Sequence, residues 1–177
     1  MMIAADGYHL FTGGQIPLGV TRVRIDESLT VIWARAFEGN PSIVEVDCND
    51  GVKTVKERAF YNCPSLRRVI MPGVEVIEQY AFYDCEALTD VECGKLEIIK
   101  HGAFGSCKSL RSINLLSAEI VEMGAFSDCT ALTNVEFGKE LESIRRRAFS
   151  HCRSLERITL PLKGGMMIGP RGPRRLA

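Results

Sequence analysis

Six Ala-Phe pairs recur along the chain: Ala36-Phe37, Ala59-Phe60, Ala81-Phe82, Ala103-Phe104, Ala125-Phe126 and Ala148-Phe149. Successive phenylalanines are 23, 22, 22, 22 and 23 residues apart. A fixed period of this size belongs to stacked repeats, in which no unit can bury its apolar face alone and each does so against its neighbours.

Aligned on the phenylalanine, the other apolar residues fall into columns. Three residues later stand Cys63, Cys85, Cys107, Cys129 and Cys152, with Asn40 in the first copy. Six later come Ile43, Leu66, Leu88, Leu110, Leu132 and Leu155, and nine later Val46, Val69, Val91, Ile113, Val135 and Ile158. Five residues before the phenylalanine stand Ile32, Val55, Ile77, Ile99, Val121 and Ile144. The positions at plus nine and plus eleven alternate inward at period two, as a half-buried strand requires. Pro72 and Pro161 end such strands at a corner, where a missing N–H breaks no ladder bond. Ile77, Ala81, Phe82 and Cys85 instead share one face at helical spacing. With about eight residues available, one or two turns of α- or 3₁₀-helix are expected there.

The unit, ending in AFxxCxxL, resembles the BspA-like class of leucine-rich repeats over about residues 20–161. The resemblance implies a leucine-rich-repeat solenoid: a right-handed stack with a parallel concave β-sheet and short strands, 3₁₀ or helical turns on the other side. It also implies a role in binding other macromolecules, often at cell surfaces. The expected organisation is an N-terminal capping segment at 1–19, with Ile3, Tyr8, Leu10, Phe11 and Ile16 covering the first coil. Six full repeats and a partial seventh follow at 20–161, then a disordered Gly/Pro/Arg-rich tail at 162–177.

Composition narrows the function classes. Lys plus Arg and Asp plus Glu both number 22, so no global field draws the chain to nucleic acid or an anionic membrane. The local exception is basic: Arg145-Arg146-Arg147, Arg153 and the tail, whose alternative reading is a nuclear-import or RNA contact. No apolar run approaches the ~20 residues of a membrane span. The start, MMIAADGYHLFTGG, lacks the basic region and long apolar core of a signal peptide. The expectation is an intracellular protein, or a cell-surface one if the N-terminus is incomplete.

All seven cysteines occupy inward columns, five after the phenylalanine and Cys48 and Cys93 at plus eleven. Stacked side chains point the same way, so their Cβ vectors do not converge as a disulfide needs. A row of thiols is no tetrahedron, and no CxxC occurs, so buried free thiols are expected, with a redox or metal role as the alternative. Gly13-Gly14 lacks the surroundings of a phosphate loop. His9, His101 and His151 do not cluster, and no nucleophile sits beside a usable base in the pattern. The chain reads as non-enzymatic, with no cofactor, and as a module for a protein partner. The rival readings are an adhesive or structural surface protein and a fragment of a larger repeat protein.

Function then falls to the outward strand positions of the concave sheet, eight and ten residues after each phenylalanine. The expected contact patch is Arg22, Arg24, Glu45, Asp47, Arg67, Arg68, Ile70, Asp90, Glu92 and Arg111. The first column alternates in sign through Arg22, Glu45, Arg68 and Asp90, which also serves register between stacked coils. A convex ladder of Lys56, Glu78, Lys100, Glu122 and Arg145 reads as register alone. Trp33, Tyr61 and Tyr83 are expected on the outside of the helical edge, as partner anchors or half-covered neighbours.

Overall fold

The computed structural model describes residues 7–161 and the backbone of Met167–Ile168. The remaining residues of both termini, including Ile3 of the expected cap and most of the tail, lie outside the described residues. The period becomes a parallel β-solenoid of short strands. On one side are β1 (His9–Phe11), β2 (Arg22–Ile25), β4 (Glu45–Asp47), β6 (Arg68–Ile70) and β8 (Asp90–Glu92), hydrogen-bonded in that order. This is the concave sheet, and β11 (Asn134–Glu136) and β13 (Arg157–Thr159) continue it as a separate pair. A second sheet, seven-stranded, orders β3 (Val31–Ile32), β5 (Thr54–Val55), β7 (Val76–Ile77), β9 (Ile98–Ile99), β10 (Ile120–Val121), β12 (Ser143–Ile144) and β14 (Met167–Ile168). The last strand falls within the segment expected to be disordered, and it pairs with Ser143–Ile144.

The third side of each coil corrects the helical expectation: the Ala-Phe segment is a run of turns, with no helix among the described residues. Its N–H groups alternate between two kinds of acceptor. In the first repeat the N–H groups of Ala36, Glu38 and Asn40 bond three residues back, to Trp33, Arg35 and Phe37. Those of Arg35, Phe37 and Gly39 cross to the next coil, to Glu57, Ala59 and Tyr61. A helix would keep both sets within the segment; the stack uses half of them to join coils. Two residues per repeat adopt positive φ to allow this, at minus two and plus two from the phenylalanine. They are Arg35 and Gly39, Arg58 and Asn62, Tyr80 and Asp84, Gly102 and Ser106, Gly124 and Asp128, Arg147 and His151. That is why small polar residues and glycine collect at plus two, since they visit the left-handed region at least cost.

The core lies between the three sides. Phe37, Phe60, Phe82, Phe104, Phe126 and Phe149 stack face to face with centroid spacings of 4.8, 5.0, 5.1, 5.3 and 5.3 Å. Phe11 of the N-terminal strand covers the first ring at 4.8 Å. Beside this spine runs the cysteine column. The thiols of Cys63, Cys85, Cys107, Cys129 and Cys152 each donate to the phenylalanine carbonyl one coil earlier, at 3.0, 3.0, 3.2, 3.1 and 3.0 Å. All seven cysteines are free, six of them buried.

Candidate functional site

The concave strands carry their outward residues on a shared parallel register. Arg22 lies opposite Glu45, Glu45 opposite Arg68, and Arg68 opposite Asp90. The side chains use that register. Arg22 Nε meets Glu45 Oε2 at 3.2 Å, and Arg24 Nε meets Asp47 Oδ2 at 3.1 Å. Arg68 engages Asp90 at 3.3 Å and also Glu92. Ile70 sits half-buried between Asp47 and Glu92. Seven of the ten expected residues thus enter ion pairs, in three separate groups: Arg22 with Glu45, Arg24 with Asp47, and Arg68 with Asp90 and Glu92.

Arg67 and Arg111 differ. Both are exposed one residue before the strand position, and neither has an ion pair among the described residues. Their carbonyls hold the stack: that of Arg67 accepts from Thr89 N and Asp90 N, and that of Arg111 from Thr133 N.

Tyr8 joins the patch although no repeat column reveals it. It precedes β1, which has no place in the period and pairs with β2. Its hydroxyl donates to Glu45 at 2.8 Å, and the guanidinium groups of Arg22 and Arg24 lie 4.1 and 4.3 Å from its ring centre. Burial and the Glu45 carboxylate push its phenol above the usual range.

The concave sheet also opens where continuity is expected. Between β8 and the coil at 111–115 no backbone ladder forms, and on the far side the bond from Thr133 N to the Arg111 carbonyl and the bridge from Leu115 to Phe137 remain. Asn114 supplies a physical cause. Its side-chain oxygen accepts the N–H of Leu116 at 3.0 Å, a local turn that competes with ladder pairing. The thiol of Cys93 reaches the Asn114 carbonyl at 3.5 Å across the opening. Two grooves flank the coil: one of about 470 Å³ between Asp90–Gly94 and Ser112–Asn114, the other of about 530 Å³ towards Asn134–Glu136.

On the other sides, Lys56 pairs with Glu78 at 2.8 Å. Glu78 and Glu122 accept the backbone N–H groups of Glu57 and His101, one coil earlier. That ladder therefore ties coils together. Trp33 is partly exposed and edge-on to Phe11, while Tyr61 stacks on Tyr83 at 5.6 Å. No group of three potential metal ligands occurs among the described residues. No helix of these residues is long and apolar enough to cross a membrane.

The profile of the family described as BspA type Leucine rich repeat region (6 copies) matches residues 17–122 and 97–164. Among solved structures, the chain is similar to the T. pallidum leucine-rich repeat protein TpLRR, at 26% identity and a TM-score of 0.75, over 95% of this chain and 81% of that one. A leucine-rich repeat protein from Bacteroides ovatus matches at 26% identity and a TM-score of 0.57, over 88% of this chain and 47% of that one. A leucine-rich cell surface protein from Faecalibacterium prausnitzii matches at 25% identity and a TM-score of 0.64, over 89% of this chain and 51% of that one. The chain spans about half the length of these last two. No curated protein matches it.

Proposed function

The chain belongs to the BspA-type leucine-rich-repeat family, and from that premise we propose a non-catalytic protein-interaction module that presents its concave face to a protein partner. The observation that carries this reading is the opened sheet at 111–115. An exposed Arg111 without an ion pair immediately precedes Ser112, which lines one of the two grooves, whereas the concave charges from Arg22 to Glu92 on β2, β4, β6 and β8 are answered by each other. Arg67 supplies a second cation on the same column. Ion-paired residues such as Arg22 and Asp47 contribute rigidity and a mixed-charge border.

The test is affinity capture of a partner by the purified chain, repeated with Arg67→Glu and Arg111→Glu. Loss of capture at an unchanged Tm supports the concave face. Undiminished capture by both variants would remove it.

We place the protein in a reducing compartment, because seven free cysteines suit one. The similarity to a protein described as a cell surface protein favours the second reading, display at a surface. Counting thiols in denatured, unreduced protein from its native source separates the two: seven fits the first, fewer the second.

A further inference from the structure

The second sheet carries charges that register does not explain. Its strands place one residue inward, Ile32, Val55, Ile77, Ile99 and Val121, all fully buried. The residue before each of these faces outward and is half-buried: Val31, Thr54, Val76, Ile98 and Ile120. An apolar stripe through Val76, Ile98 and Ile120 therefore lies on the outer surface of the sheet. Next to it, one residue earlier in each coil, runs the column Lys53, Glu75, Glu97, Glu119 and Glu142.

Lys53 answers Glu75 at 2.8 Å. Among the described residues Glu97, Glu119 and Glu142 have no ion pair. Their positions are fixed by the main chain, with Glu97 N bonded to Glu75 O and Glu119 N to Glu97 O at 2.8 Å, and Glu142 N to Glu119 O at 2.9 Å. Successive carboxylates thus start about 4.8 Å apart. Like charges on neighbouring strands destabilise a sheet. No other outward column of the repeat sets more than two like charges on successive coils. A column that works against stability, beside apolar side chains the core does not use, has the character of a recognition surface.

We propose that this face, from Val76 to Glu142, docks a basic amphipathic helix of a partner protein lying along the solenoid axis. The acidic column fixes the sign of the partner. The spacing fixes its form: a helix repeats every 5.4 Å, close to the coil spacing, so its lysines keep step with three or four glutamates. An extended segment repeats its side chains about every 6.7 Å and loses step after one coil. Apolar side chains on the adjoining helical stripe would rest on Val76, Ile98 and Ile120. This surface is separate from the concave face, so either assignment stands if the other falls.

The probe is an alanine-based peptide of about 15 residues, long enough to be helical, with a leucine stripe beside a lysine stripe. Binding is followed by fluorescence anisotropy and by the methyl signals of Val76, Ile98 and Ile120. Saturable binding that shifts those methyls is expected. A peptide with glutamate replacing lysine should not bind, and one with serine replacing leucine should bind at least about tenfold more weakly. Glu119→Lys should raise Tm, because it relieves repulsion with Glu97 and Glu142, while lowering peptide affinity by about tenfold or more. Glu119→Gln should do both to a smaller degree and stands in if the lysine variant folds poorly. Arg67→Glu should leave peptide affinity unchanged. Failure of the lysine–leucine peptide to bind, equal binding of the serine peptide, or affinity indifferent to Glu119 would each overturn the proposal.

Discussion

The thiol of Cys85 donates to the main-chain carbonyl of Phe60, one coil earlier in the stack, across a sulfur–oxygen distance of 3.0 Å. The contact recurs down the column, so each cysteine is both a small core filler and a donor to a carbonyl of the neighbouring coil. Asn40, in the first copy, bonds locally instead, accepting from the N–H groups of Ser42 and Ile43. A thiol fits this place because it can donate weakly yet be buried at little cost.

Alkaline pH should therefore unfold the protein. Burial pushes the thiols of Cys48, Cys93 and Cys152 from an ordinary value of 9.0 up to about 12, and raises those of Cys85, Cys107 and Cys129 as well. The folded state holds these protons more tightly than the unfolded chain. Stability is then complete below pH 9 and falls as pH climbs towards 12. Each retained proton contributes a slope of about 1.4 kcal/mol per pH unit in that window. Urea midpoints at about pH 8 and about pH 10.5 measure the fall, and Cys48→Ala should make it shallower. A midpoint independent of pH would contradict the buried column.

Phe82 lies between Phe60 and Phe104 at 5.0 and 5.1 Å and is fully buried. Phe82→Ala should cost about 3–5 kcal/mol through the cavity it opens. Because each coil contacts only its neighbours, the loss should also split unfolding into two phases. Calorimetry decides: a single transition with a loss below about 1 kcal/mol would show that the spine does not couple the halves.

The spine, the cysteine column and the inward strand positions were legible because each recurs at a nearly constant period, the cysteines in five copies and the others in six. Burial then follows from column membership, as at Val69 and Leu88. Three features were not legible, each for a reason of backbone geometry. Ile77, Ala81, Phe82 and Cys85 fit a helical face, yet the same face arises from turns with left-handed residues such as Tyr80 and Asp84. Tyr8 reaches Glu45 from outside the period. Asn114 occupies an ordinary outward position by sequence, and only its turn with Leu116 opens the sheet. The concave charges were legible as neighbouring rungs of opposite sign, but side-chain conformation decides which of them pair, and the contact from Arg68 to Glu92 in the other column was not legible.

Corner glycines should split into two kinds. A Cβ at Gly138 would lie 1.9 Å from the carbonyl oxygen of Leu116, a backbone atom that cannot swing away. One at Gly94 meets nothing within 4 Å, and its φ lies outside the left-handed region. Gly138→Ala should therefore destabilise by about 1–3 kcal/mol, as overpacking does. Gly94→Ala should be neutral or stabilise by up to about 1 kcal/mol, by restricting the unfolded chain. Thermal melts of the two variants that agree with one another would refute the difference in corner packing.

The concave ladder allows register and recognition to be separated. Arg68→Glu removes the contacts to Asp90 and Glu92 and sets acids on three successive strands, at positions 45, 68 and 90. Arg68, Asp90 and Glu92 are well exposed, so Tm should fall by a modest amount that shrinks as salt is added. Adding Glu45→Arg restores an opposite pair between positions 45 and 68. It also sets Arg22 against the new arginine and the new glutamate against Asp90, and it takes from Tyr8 the carboxylate it donates to at 2.8 Å. Recovery of Tm should therefore be partial. Arg67→Glu, one residue away and without an ion pair, should leave Tm unchanged at every salt concentration. A Tm for Arg68→Glu that is unchanged in low salt would mean that the ladder contributes nothing to register. Equal losses for Arg67→Glu and Arg68→Glu would mean that pairing is not what distinguishes the two arginines.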